Sequence, residues 1–240
     1  MSRSLADTSL WMREGTALLV HTAALLDETA YDAPSALPGW SRKHVVAHVA
    51  ANADALANLV HWAVTGTPTP MYASPEERAV GIEEGSRQPG ARLTEWLRLS
   101  CDALEKAMDA LDDDRWTARV LTAQGRTVPA TEIPWLRSRE VWVHAVDLGT
   151  GVRFGDLPAD FLTALCDDVV ARRGAAPGAG ITLEPTDAPA RWHLPPASDE
   201  NGETITVTGP LAEITAYLAG RDHCVTTAPG AEAPALSAWL

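Results

Sequence analysis

Proline- and glycine-bearing breaks divide the first 150 residues into four long stretches with apolar side chains at helical spacing, and this division constrains the fold most. The first stretch covers about residues 4 to 30, with Leu10, Ala17, Leu18 and Leu25 on the pattern, and stops at Asp32-Ala33-Pro34. After Pro38-Gly39, Ser41 is the N-cap type for a second helix running to about residue 65, where GTPTP ends it. A shorter acidic helix is expected after Ser74-Pro75, in EERAVGIEEG. The third long stretch, from about residue 91 to 111, carries Leu93, Trp96, Leu97, Leu104 and Met108 and ends in Asp112-Asp113-Asp114, read as a solvated turn. WTARVLTAQGRTVP holds two short β-like runs about a Gln124-Gly125 turn. Thr131 is then placed as the cap of a fourth long helix, with Pro134 harmless in its first turn, continuing to Gly149. Four long helices joined by loops predict a bundle over residues 1–150.

The composition changes at Gly151. A helix near residues 160 to 173, the glycine-rich GAAPGAG, strand candidates at 181–184, 191–194 and 204–208, and a helix starting at Pro210 predict a smaller α/β domain over residues 151–240. The fold class expected is therefore α plus α+β. The chain has 240 residues, 46% of them hydrophobic, enough for one large core or two modest ones. Its 32 Asp and Glu outweigh 19 Lys and Arg, and the formal charge of -13 argues against nucleic acid or an anionic membrane as partner. A small molecule is the expected ligand. If it is anionic, each arginine at the site must work against a repulsive field and becomes informative. Cys101, Cys166 and Cys224 are odd in number and far apart, which suits neither a disulfide framework nor a zinc ribbon. The N-terminus lacks an uninterrupted apolar core and no stretch reads as a membrane span, so a cytoplasmic location is expected.

On the fourth helix Glu140, His144 and Asp147 sit at i, i+4 and i+7, within about 60° of one another. Leu136 and Val143 flank them and Arg137 borders them, so this polar stripe is expected to face the bundle interior. On the second helix His44, His48 and Asn52 align in the same way, beside Leu59 and Trp62. Buried imidazoles and carboxylates need partners, and two readings meet that need. One is a divalent cation held by His48, Glu140 and His144 with a coordination position left open, the pattern of catalytic zinc sites. The other is a buried His–Glu–His hydrogen-bond network. His44 is read as supporting the site without binding an ion. Trp40, Trp62, Trp135 and Trp142 are read as core fillers.

GWSRKHVVAHVAANADAL, MYASPEERAVGIEEGS, VLTAQGRTVPA and RSREVWVHAVDLG together resemble the mycothiol-dependent maleylpyruvate isomerases, two-domain proteins with a DinB-like N-terminal four-helix bundle. The resemblance covers nearly all of residues 1–160 and continues more weakly to the YLAGR segment ending at Arg221. It implies a divalent metal, taken as zinc, on His48, Glu140 and His144, an acidic residue beside it at Asp147, and a substrate-pocket arginine at Arg221.

The implied reaction turns maleylpyruvate, a cis alkene with two acidic groups, into fumarylpyruvate by reversible addition of the sulfur of mycothiol, a low-molecular-weight thiol. The metal would lower the thiol's pKa below the ~8.5 of a free thiol. Arg221 would pair with a substrate carboxylate or the developing enolate, and Asp147 would orient a ligand or move a proton. Arg78 and Arg126 are further candidates for carboxylate binding. A thiol S-transferase acting on another electrophile, and a module in which the metal only braces the bundle, are the competing readings.

Overall fold

The structure is a computed structural model describing residues 3–173, 179–196, 204–227 and 232–236. Five residues of the GAAPGAG run, and most of the tail beyond Thr227, lie outside the described residues. The chain divides into two compact units, one spanning Arg3–Val152 and the other taking up the chain from Arg153.

In the first unit Ser4 and Asp7 cap each other's backbone N–H groups at the start of α1 (Leu5–Ala24). The single helix expected over residues 4 to 30 is two: the Asp27 side chain accepts a bond from Ala30 N and opens a new helix, α2 (Glu28–Asp32). The expected apolar face is also displaced, with Leu10 and Leu25 exposed while Trp11, Met12, Gly15, Leu19, Thr22 and Ala23 are buried. Gly15 explains the choice of face. A Cβ there would meet Val141 Cγ2 at 2.6 Å and the Trp142 ring at 2.9 Å, so only glycine lets α1 approach its neighbour this closely.

α3 (Arg42–Thr65) starts at Ser41 and stops at Gly66, whose φ of +72° suits glycine and whose N–H returns to Trp62 O. α4 (Pro75–Ser86) begins with the Ser74 hydroxyl accepting from Glu77 N. α5 (Gly90–Asp109) follows. The acidic run does more than turn: Asp112 accepts from Arg115 N and starts α6 (Asp113–Trp116). Strands β1 (Arg119–Leu121) and β2 (Thr127–Pro129) form the antiparallel hairpin, Val120 opposite Val128. Thr131 does not cap the next helix; a single tight turn over Ala130–Glu132 leads directly into α7 (Ile133–Asp147), with Pro134 in its opening turn.

The bundle consists of α1, α3, α5 and α7. α1 packs on α7 and α5, and α3 packs on α5 and α7. Its core holds Leu56, Leu59, Leu104, Val120, Ile133 and neighbouring apolar residues. At about 25 cal/mol per Å² of buried apolar surface, such side chains supply most of the stabilisation. α4 lies against α3, where Gly85 lets the backbone come close to Ala47 and Trp96.

In the second unit α8 (Ala159–Arg173) precedes β3 (Ile181–Pro185), β4 (Trp192–Leu194), β5 (Ile205–Gly209), α9 (Leu211–Leu218) and β6 (Thr226–Thr227). The sheet order is β4-β3-β5-β6, with β3 and β5 parallel and the other pairs antiparallel. Ile181, Leu183, Leu194 and Val207 are buried in the layer where α8 and α9 pack on each other and on the strands. β6 carries no sequence signal beyond two threonines. Among the described residues no helix is long and apolar enough to cross a membrane.

Candidate metal centre

Four side chains anchor α7 at three places. At its C-terminus the Arg42 guanidinium, from the first turn of α3, donates to Leu148 O (2.7 Å), Gly149 O (3.0 Å) and Ala30 O (3.0 Å), satisfying carbonyls that a helix end leaves without partners. Toward α1, Ser138 Oγ donates to Thr8 O and Trp142 Nε1 to Trp11 O. Toward α3, the fully buried Arg137 donates to Val49 O (2.7 Å), Asn52 Oδ1 (2.8 Å) and Cys101 Sγ (3.1 Å). Helical spacing then decides what meets what. One turn along from Arg137 is Glu140, one turn along from Asn52 is His48, and the two ligand candidates face each other across the α3–α7 seam.

Their donor atoms converge. His48 Nε2 lies 3.0 Å from Glu140 Oε2, His144 Nε2 lies 3.4 Å from the same oxygen, and one ligand atom from each residue falls within 4.8 Å of the others. Ligands about 2.1 Å from a zinc-sized ion in tetrahedral array stand roughly 3.4 Å apart, so the cluster closes on such an ion with small side-chain rotations. The donor set, two imidazoles and a carboxylate, is the one a borderline divalent cation prefers. Behind His144, the fully buried Asp147 Oδ2 lies 2.9 Å from Nδ1, which fixes the ring and leaves Nε2 directed at the centre. Of the two readings of the polar stripes, this geometry serves both: without an ion Glu140 accepts from the two imidazoles, and with one all three turn lone pairs to it.

Burial is the largest influence on each group's titration. It pushes His48 down, with the Glu140 bond opposing it. For Glu140 burial alone would raise the pKa, but hydrogen bonds from His144 and His48 hold it well below the usual carboxylate range. For His144 burial pulls down, yet Asp147 and Glu140 outweigh it and hold the imidazole at about 9.

The remaining sequence candidates fall elsewhere. His44 is no ligand: its Nδ1 accepts from Ser41 N, so it caps its own helix, and its Nε2 lies 3.3 Å from Glu83 Oε2. Arg126 is exposed in the β1–β2 turn. Arg221 belongs to the second unit, just past Gly220 and α9, where its Nη1 donates to Ala219 O. Arg78, on α4, brings Nη2 to 3.4 Å from His48 Nδ1. Trp135 and Trp142 are core residues, and Trp62 packs partly buried against the core. Trp40 is a correction to that group, since it is half-buried, stacks on His44 and meets His48 edge-on at 5.7 Å between ring centroids. The sequence reading also missed that Arg137 is the buried cation beneath the ligands; its place on the Glu140 face was the available signal. A cavity of about 210 Å³ between α1 and α5, reaching Cys101 and Arg137, touches none of the three ligands.

Residues 12–149 match the family model of the mycothiol maleylpyruvate isomerase N-terminal domain, and residues 156–238 match the MDMPI C-terminal domain. The chain matches none of the curated proteins compared with it. Among solved structures, it is similar to a mycothiol-dependent maleylpyruvate isomerase, with 40% identity, a TM-score of 0.91 and coverage of 99% of this chain and 98% of the other. A histidine-to-alanine mutant of such an isomerase matches at 40% identity and a TM-score of 0.90, with the same coverage. Family models spanning both units, and an identity of this size over the whole chain, lead to one conclusion: the chain belongs to the mycothiol-dependent maleylpyruvate isomerase family.

Proposed function

We propose that this protein is a metal- and thiol-dependent cis–trans isomerase that converts maleylpyruvate to fumarylpyruvate, with zinc as the ion and mycothiol as the thiol, acting in the cytoplasm. The observation that carries the reading is the convergence of His48, Glu140 and His144, backed by Asp147, in a chain 40% identical to such an isomerase over its length.

His48, Glu140 and His144 would hold the cation and leave a position open to a further ligand. A divalent ion there supplies a positive charge that lowers the pKa of a bound thiol, making thiolate available at neutral pH. The protein groups do the rest. Asp147 fixes the His144 ring, so the carboxylate acts through the imidazole and keeps its Nε2 turned inward. Arg137, one turn from Glu140, ties α7 to α3 through Val49 O and Asn52 Oδ1 and so fixes the spacing of the two helices that carry the cluster. The Trp40 ring covers one side of His48 and excludes water there. Arg221 is assigned to a substrate carboxylate or to the charge that develops on the substrate carbonyl, where a guanidinium fork gives both attraction and orientation. Isomerisation adds no atoms to the substrate, so the site needs no water to attack it.

The test uses purified protein loaded with zinc, maleylpyruvate and mycothiol, following fumarylpyruvate. Formation that requires both thiol and metal is expected, with glutathione as the comparison thiol. Thiol-independent turnover, or none with either thiol, would sink the reading. Metal analysis of the isolated protein tests its first premise.

A further inference from the structure

Several of the chain's arginines are held by carboxylates. Arg13, Arg87, Arg92, Arg98 and Arg115 each pair with a carboxylate within 3.1 Å. Arg78 differs. Among the described residues no carboxylate lies within 4.0 Å of its guanidinium, although the chain carries 32 acidic residues. Its contacts are His48 Nδ1 at 3.4 Å and the Tyr72 ring, whose centroid is 5.8 Å from Cζ.

The His48 contact conflicts with the ion. An arginine can only donate, so Nδ1 must be the acceptor. A neutral imidazole that gives its Nε2 lone pair to a cation carries its proton on Nδ1, and two N–H groups cannot hydrogen-bond. Binding an ion through the nitrogen that faces Glu140 therefore turns Arg78 away from His48. The guanidinium is half-buried and lies over Tyr72, beside the site. The substrate named above is a dianion, and one guanidinium fork cannot pair both of its acidic groups.

We propose that Arg78 is the partner of one substrate carboxylate beside the ligand cluster, released for that task when His48 takes the ion; this rests on the isomerase reading for the identity of the substrate. α4 delivers the charge, and its close seat on α3 at Gly85 keeps the delivery rigid.

The experiment compares the zinc-loaded parent with Arg78→Met and Arg78→Lys. Metal content is measured first, then KM and kcat for maleylpyruvate. Calorimetric affinities follow for maleate, a cis dicarboxylate, and for cis-2-butenoate, a monocarboxylate. Arg78→Met should retain its zinc. Its KM should rise, and its maleate affinity fall, roughly 10- to 100-fold, the size of a lost charge-assisted contact, with little change for the monocarboxylate. Arg78→Lys should fall between. Equal losses for both acids, no loss for maleate, no maleate binding by the parent, or loss of zinc on substitution would each overturn the proposal. If the parent shows no thiol-dependent isomerisation, the reaction reading fails by itself, and the two affinities still decide the role of Arg78.

Discussion

Zinc affinity should climb with pH as far as about 9 and then level off. The cause is the proton on His144. Burial opposes it, but Asp147 at 2.9 Å and Glu140 at 3.4 Å hold it to about 9. An incoming ion must displace that proton, because coordination needs the Nε2 lone pair. The other two ligands present no such barrier, since His48 is pushed down by burial and Glu140 is held well below the usual carboxylate range. The sign follows: the pKa is raised only in the metal-stripped protein, so each pH unit below about 9 weakens binding about tenfold. At pH 7 the affinity should thus be roughly a hundredfold below its plateau, about 3 kcal/mol. Competition with a chromophoric chelator between pH 6.5 and 9.5 gives the curve. Calorimetry at pH 7.5 in two buffers of different ionisation enthalpy should report close to one proton released per ion. Asp147→Asn should move the bend to lower pH, because an amide cannot hold the imidazolium. A flat curve between pH 7 and 9, or a plateau already reached at pH 7, would refute the electrostatic argument.

Three further outcomes are expected. His48→Ala should lose zinc and turnover yet keep its far-UV circular dichroism, because the bundle core closes without the ion; a large fall in melting temperature would contradict this. Gly15→Ala should cost about 1–3 kcal/mol in urea unfolding, since its Cβ would overlap Val141 and Trp142; an unchanged midpoint would show that α1 can move aside. Alkylation of the native protein should mark Cys224 alone, because Cys101 and Cys166 are buried and burial pushes the Cys166 thiol to about 12; mass spectrometry finding Cys166 modified before unfolding would refute it.

The convergence of His48, Glu140 and His144 was legible because helical geometry converts spacing directly into facing. Glu140 and His144 four apart on one stripe, with His48 on another otherwise apolar helix, leave few arrangements that satisfy all three. The hairpin and strands β3 to β5 of the second unit were legible for a similar reason, since turn residues bounded short runs, while β6 was not. The buried face of α1 was misread: Trp11, Met12, Leu19 and Ala23 share it with Gly15 and Thr22, which carry no hydrophobic signal, while Leu10 and Leu25 do and are exposed. Arg137 escaped because one of its partners is a backbone carbonyl, Val49 O, which has no letter in the sequence. Trp40 and Arg78 lie outside the four long helices, and their approach to His48 depends on how the chain enters α3 and how α4 docks. Periodicity says nothing about either.

The Arg42 clasp carries a consequence for the life of the protein. By gripping the carbonyls at the end of α7 from the first turn of α3, it joins the two ligand-bearing helices by bonds that do not pass through the ion. A chelator should therefore leave behind a receptacle that refills without refolding. On the reading proposed above, the cation held there would follow from the ions the surroundings supply.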